Sequence, residues 1–258
     1  MDTIRERYES VLERISRSAQ VAGRDPDSVR LVVVTKLQPV GVVREVVTAG
    51  ARYLGENYAD EAVAKKEILQ AEQVGFTASS RKEEGPLNYH KPQSGVQWHI
   101  IGHVQSRKAR LVSEYFDYLH SLDNIKLAER LNSSCKELKR MLPVLLEFNM
   151  SGEQSKSGWP AWDDMHWADL LPDIHRIVEL PNLRVGGLMT MPPFFENPEE
   201  ARPYFQHLRK LQEYLIMQIP STDWYELSMG MSGDFEVAVQ EGATWVRIGQ
   251  AILGPRSG

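Results

Sequence analysis

Apolar, β-branched runs alternate with helix-period segments eight times along this chain, and few folds accommodate that rhythm. The first segment sets Ile4, Tyr8, Val11, Leu12 and Ile15 at helical spacing and closes near Gly23. Leu31–Thr35 then forms a short buried strand, followed by a helix over Val40–Ala49. Further strands are expected at Tyr53–Gly55, Gln97–Ile101, Tyr118–Ser121, Pro143–Asn149, Leu183–Met189, Trp224–Ser228 and Thr244–Ile248. Helices are expected at Tyr58–Gln70, Ser106–Glu114, Ile125–Leu138, Met165–Leu180, Pro198–Gln218 and Asp234–Glu241. Such alternation calls for a parallel sheet, because parallel neighbours need a crossover between them. Eight repeats in 258 residues match one closed (β/α)8 TIM barrel, a single domain over residues 1–258. An open doubly wound sheet is the alternative, and it usually has fewer strands. Only residues 72–95 break the rhythm. They are polar and without period, and are expected as a surface loop inserted before the third strand.

Composition removes several functional classes. The single cysteine, Cys135, excludes an intrachain disulfide and a Cys-based metal cluster. Lys and Arg number 30 against 35 Asp and Glu, a net charge of -5, so a broad basic field for nucleic acid is not expected. No apolar run reaches the roughly 20 residues that cross a bilayer, so no membrane partner is expected. The opening Met1-Asp2-Thr3-Ile4-Arg5-Glu6-Arg7 mixes both charge signs, unlike a secretory signal or transit peptide. A cytoplasmic protein is expected, with mitochondrial association left open. Short exposed helices without a long apolar stripe suggest a monomer.

In a barrel of this kind, chemistry gathers at the C-terminal ends of the strands. Lys36 stands there, directly after Val32-Val33-Val34-Thr35. Desolvation at the end of an apolar strand eases deprotonation of an amine, which can then attack a carbonyl. A lysine that merely snorkels to solvent is the plainer possibility. At the other end of the chain, Arg247-Ile248-Gly249-Gln250 runs from strand through glycine into a short helix, and Ser228-Met229-Gly230-Met231-Ser232-Gly233 fills the loop after strand seven. These are the two loops in which such barrels often hold a phosphate. A carbonyl-reactive lysine and a phosphate cradle together fit a sugar phosphate or pyridoxal phosphate. Arg247 could pair with the anion or face a pyridine nitrogen. In the second case its permanent charge would keep that nitrogen unprotonated and the ring a poor electron sink.

Other motifs carry less. His99 and His103 are four apart but lie on a strand running into a loop, so a metal pair is not expected. Ser155-Lys156-Ser157-Gly158 lacks the upstream glycine spacing of a phosphate loop. Trp159, Trp162 and Trp167 are expected to cover a barrel end or pack a loop, and Met189, Met191, Met229 and Met231 to line core or cavity.

Taken in order, several blocks resemble the pyridoxal phosphate homeostasis proteins, also called the proline synthetase co-transcribed or alanine racemase N-terminal-domain-like family. The blocks are Val34-Thr35-Lys36, Gly55-Glu56-Asn57-Tyr58, Trp98 through Ser106, Asn149 through Gly158, Gly187-Leu188-Met189-Thr190, Leu227 through Ser232 and Val246-Arg247-Ile248-Gly249. The resemblance spans nearly the whole chain, and the 72–95 insertion looks more like fungal members than bacterial ones. It implies that Lys36 carries pyridoxal 5'-phosphate as an aldimine and that Ser228, Ser232, Gly249 and Gln250 bind the phosphate. It further implies that Arg247 faces the pyridine nitrogen and that Asn57 lies beside the ring. One departure is Arg107 in Gln105-Ser106-Arg107-Lys108, where the family usually has Asn, which puts partner contacts of that segment in doubt.

The racemases of this type place a second domain over the cofactor, and its tyrosine supplies the opposite-face base. Here the chain ends at Gly258, soon after the eighth strand. Racemisation needs proton donors on both faces. The expected role is therefore cofactor buffering and delivery to apo-enzymes, with little or no catalysis. A pyridoxal phosphate-dependent amino-acid racemase and a Schiff-base aldolase are the alternatives.

Overall fold

The structure, a computed structural model, describes residues 2–72 and 95–255. Most of the expected 72–95 surface loop therefore lies outside the described residues. Eight strands line the barrel: β1 (Arg30–Val34), β2 (Tyr53–Glu56), β3 (Gln97–Ile100), β4 (Tyr118–Leu122), β5 (Leu142–Asn149), β6 (Leu183–Met189), β7 (Glu226–Ser228) and β8 (Trp245–Ile248). Each pairs in parallel with the next, and β8 pairs with β1 in the register Val32↔Arg247 and Val33↔Ile248. The sheet is thus a closed TIM barrel. A two-residue strand, Trp159–Pro160, extends the end of β5 outside that ring.

Around the barrel lie α1 (Ile4–Val21), α2 (Val40–Ala49), α3 (Ala59–Ala71), α4 (Ala109–Tyr115), α5 (Ile125–Glu137), α6 (Leu171–Val178), α7 (Arg202–Gln218), α8 (Phe235–Gln240) and α9 (Gln250–Leu253). α1 begins with a capping box, in which the Glu6 N–H donates to Thr3 Oγ1 at 3.2 Å and the Thr3 N–H donates to Glu6 Oε2 at 2.6 Å. Its buried face is Tyr8, Val11, Ile15 and Ala19; of the periodic set seen in the sequence, Ile4 is only partly buried and Leu12 is exposed. Two expected helices are divided. Met165–Leu180 becomes a 3-10 segment over Asp164–Leu170 followed by α6, because Pro172 has no N–H for the preceding turn. Pro203 sits similarly at the start of α7, after a 3-10 turn over Pro198–Ala201.

Strand alternation creates two interiors. Leu31, Val33, Leu54, Trp98, Leu119, Val144, Leu188, Leu227, Val246 and Ile248 point outward into an apolar shell beneath the helices. Val32, Tyr53, Ile101, Leu145, Met189 and Trp245 point inward. They share the lumen with buried polar residues. At the N-terminal end Arg30 pairs with Glu226 and lies 3.9 Å above the Trp245 ring, while Thr244 Oγ1 donates to Glu226 Oε2 at 2.6 Å. Above them the rings of Tyr53, His99, Tyr118 and Trp245 pack edge to face or stacked. A Cβ at Gly186 would lie 2.9 Å from Tyr118 Oη, so a larger residue there would displace that ring.

Candidate functional site

The end of β1 decides where Lys36 goes. Arg30, Val32 and Val34 are lumen residues, whereas Leu31 and Val33 belong to the shell. Thr35 continues the ladder through its N–H, which donates to Gly55 O at 3.0 Å, and its hydroxyl donates to Glu56 Oε1 at 2.7 Å. Lys36 follows in a turn at the C-terminal end of β1, half-buried at the barrel mouth. Its neighbours are held on both sides. Lys65 Nζ donates to Thr35 O at 2.8 Å and pairs with Glu56 at 3.0 Å and Glu61 at 2.6 Å. Leu37 adopts φ 60°, and its N–H donates to Glu61 Oε1 at 2.8 Å. Burial pushes the Glu56 carboxyl up, and the Lys65 ammonium draws it back down.

The strands on either side of β1 bring the other expected residues to it. On β8, Arg247 is in register with Val32 and faces the lumen. A Cβ at Gly249 would stand 3.2 Å from Val34 O, so glycine lets the backbone pass close to β1 at the mouth. The loop after β7 joins here: the Ala251 N–H donates to Ser232 Oγ at 3.3 Å, and the Arg247 N–H donates to Gly230 O at 2.9 Å. Gln250 follows and is exposed. On the other flank, Asn57 directly follows β2 and is half-buried. A Cβ at Gly102 would fall 2.8 Å from Asn57 Cγ, so only glycine fits between the loops after β2 and β3.

Arg247 is the buried charge of the site. Its Nη1 donates to Ser228 Oγ at 2.7 Å and its Nη2 to Thr190 O at 3.0 Å. Burial draws its pKa down to about 10, opposed by Glu147 and Asp234, so it remains a cation at neutral pH. A guanidinium has five N–H donors, and these two bonds leave three for other acceptors. Ser228 lies beneath the mouth, at the end of β7. Its hydroxyl is engaged by Arg247 and, at 2.8 Å, by His120 Nδ1, so it supports the arginine. The parity of β7, with Glu226 and Ser228 inward and Leu227 outward, puts that hydroxyl in the lumen.

Two lumen residues escaped the sequence reading. His120 lies on β4 and meets His99 Nδ1 through its Nε2 at 2.9 Å. Glu147 lies on β5, and its Oε2 is buried without a hydrogen-bond partner. Burial, then Asp123, push the Glu147 pKa up to about 7, against the pull of Arg247 and His103. Both were detectable as polar residues on the inward parity of apolar strands. His103 leaves His99 and pairs with Asp123 Oδ2 at 2.6 Å on the rim. Among the described residues no group of three or more His, Cys, Asp or Glu could hold a metal. Lys156 Nζ donates to Met191 O at 3.2 Å, tying two rim loops. Trp159 and Trp167 are buried, and a Cβ at Gly152 would lie 3.2 Å from the Trp162 ring. Arg107 is exposed and donates to Gln105 Oε1 at 2.8 Å.

A lysine and an arginine on adjoining strands of one barrel, with a glycine-bearing turn beside them, define a class. Residues 8–257 match the family described as alanine racemase, N-terminal domain. At 11% identity an alanine racemase of Clostridium difficile 630 shares the fold, with a TM-score of 0.62 over 96% of this chain and 57% of that one. Two comparisons are more specific. The pyridoxal phosphate homeostasis protein of Pseudomonas aeruginosa is 41% identical over 257 residues, covering 99% of this chain and 97% of that protein. PipY of Synechococcus elongatus PCC7942, solved with PLP bound, is 33% identical with a TM-score of 0.73, covering 93% of this chain and 100% of that one. The chain belongs to the pyridoxal phosphate homeostasis protein family. These two relatives are bacterial and lend no support to a fungal-type member. Among the described residues no helix is long and apolar enough to cross a membrane.

Proposed function

We propose that this chain binds pyridoxal 5'-phosphate and serves its homeostasis by holding the cofactor and delivering it to apo-enzymes, as a cytoplasmic monomer. When bound, the cofactor supplies an aldehyde that condenses reversibly with a lysine amine. Lys36 is that amine. Ser232, Gly249 and Gln250 hold the phosphate, Arg247 faces the pyridine nitrogen, and Asn57 lies beside the ring. The observation that carries the reading is the placement of Lys36 at the end of β1, beside the strand that bears Arg247 and Gly249.

The residues present fit such a ligand. Gly249 leaves the backbone open where a Cβ would press on Val34. Arg247 stays protonated and is held by Ser228 and Thr190, so it presents only donors to whatever faces it. A ring nitrogen opposite it is kept as an acceptor, which makes a weak electron sink. That favours holding over turnover. The PLP-bound PipY relative and the name of the Pseudomonas aeruginosa relative support the assignment.

The test is an absorbance spectrum of purified protein with added pyridoxal phosphate, then borohydride reduction and peptide mapping. The label is expected on Lys36, and Lys36→Ala should lose it entirely while its melting transition stays where it was. A label mapped to another lysine, or no uptake, overturns the reading. Turnover of an amino acid at an ordinary enzymatic rate would replace holding with catalysis.

A further inference from the structure

Below the mouth, the lumen holds two histidines that the reading above does not use. His99 and His120 are fully buried, and their partners form a single file. Arg247 Nη1 donates to Ser228 Oγ at 2.7 Å, Ser228 Oγ meets His120 Nδ1 at 2.8 Å, and His120 Nε2 meets His99 Nδ1 at 2.9 Å. The last nitrogen, His99 Nε2, has no hydrogen-bond partner. Burial holds both imidazoles far below their usual titration, His99 at about 3, so each carries one proton at neutral pH.

Counting donors decides where those protons sit. In one arrangement, Ser228 gives its hydroxyl proton to His120 Nδ1, His120 donates from Nε2 to His99 Nδ1, and His99 keeps an Nε2 proton. One N–H is then left over. The rings of Tyr53 and Trp245 stand at 64° and 66° to His99, edge-to-face geometry that suits an N–H against a π face. In the reverse arrangement, His120 Nδ1 donates to Ser228, whose hydroxyl proton has no further partner among the described residues. His99 Nε2 would then bury a bare lone pair. The first leaves one group unsatisfied and the second leaves two, each costly in a dry lumen.

We propose that His120 and His99 are positioning residues for Arg247. A one-directional chain of hydrogen bonds runs from Arg247 through Ser228 and His120 to His99, with both imidazoles protonated on Nε2. It offers Arg247 only a lone pair and thereby fixes the guanidinium beneath the mouth. Each bond polarises the next, so the far end of the chain matters to the near end. The inference rests on the proposed function only in taking Arg247 as the group that faces the ring.

The test is long-range 15N–1H NMR of the histidine rings in the full chain without added cofactor, with His99→Phe and His120→Phe for assignment. Both rings should show Nε2–H tautomers. Ser228→Ala removes the directing hydroxyl, and the His99 signals, two bonds along the chain, should move toward a mixture of tautomers. A role in packing alone would leave His99 unmoved in that variant. In the cofactor-loaded protein, Ser228→Ala and His120→Phe should weaken pyridoxal phosphate binding by about three- to tenfold. An Nδ1–H tautomer at either ring, or a Ser228→Ala variant with unchanged His99 signals, overturns the proposal. These signals do not depend on Lys36, so loss of the label in the earlier test strikes the cofactor assignment alone. Should His120→Phe fail to fold, the wild-type and Ser228→Ala spectra decide.

Discussion

The shell and the lumen of this barrel are lined by residues of opposite kinds. Between strands and helices the packing is almost wholly apolar, with Phe116, Phe148, Phe205, Leu211 and Trp224 among its fully buried members. Inside the strands, two arginines, two glutamates, two histidines and a serine are buried in a narrow column. A barrel interior is more usually filled by branched aliphatic residues. Shell burial stabilises at roughly 25 cal/mol per Å² of apolar area. Buried charge contributes little net stability, because desolvation offsets pairing. The contrast teaches that the shell carries most of the fold's stability, while the lumen trades some of it for a fixed arrangement of donors under the mouth.

Truncation of the shell should have the largest effect on stability. Phe205→Ala in α7 removes a side chain with 0% exposure and should cost about 4 kcal/mol, read from urea unfolding, with cofactor uptake unaltered in the folded fraction. A loss below about 1 kcal/mol would break the comparison. Next is the pair at the lumen floor. Glu226→Gln leaves Arg30 buried without its carboxylate and should cost about 3 kcal/mol. Replacing both, as Arg30→Met with Glu226→Leu, should recover most of that loss. If the double variant is as unstable as the single, the pair is a net stabiliser and the lumen is no concession.

The smallest effect is the most diagnostic, because it depends on pH. Glu147 titrates at about 7 in the fold against 4.5 for an ordinary glutamate. The folded protein therefore holds that proton more tightly between those values, and its stability declines as pH rises through that window. Glu147→Gln removes the dependence. Relative to the parent, the variant should gain on the order of 1–3 kcal/mol between pH 5 and pH 8, measured by denaturant unfolding at both. A parallel shift at both pH values would show that Glu147 is already solvated.

Periodicity made the fold legible, since the strand and helix limits agree with the structure to within a few residues. Shifts arose where a proline interrupted a helix at Pro172 and where β7 proved shorter than Trp224–Ser228. Trp224 instead turns its indole N–H to Ile219 O at 3.0 Å. At the mouth, the same periodicity puts Lys36 just after β1, Arg247 within β8 and Gly249 just after it. The lumen was not legible in this way. Strand parity turns Ser228 inward, where Arg247 and His120 meet its hydroxyl. His120 was passed over because a lone histidine in an apolar strand carries no motif. Its partners, His99 and Ser228, are 21 and 108 residues away in sequence.

The pairing of β8 with β1 has a kinetic corollary. Val34, at the end of β1, and the turn at residue 249 become neighbours only when the last strand seals the ring, a contact between distant parts of the polypeptide. A nascent or partly opened barrel lacks that juxtaposition, so under the proposed function occupancy would report closure. By mass action, a ligand that grips both edges of that seam also keeps it shut.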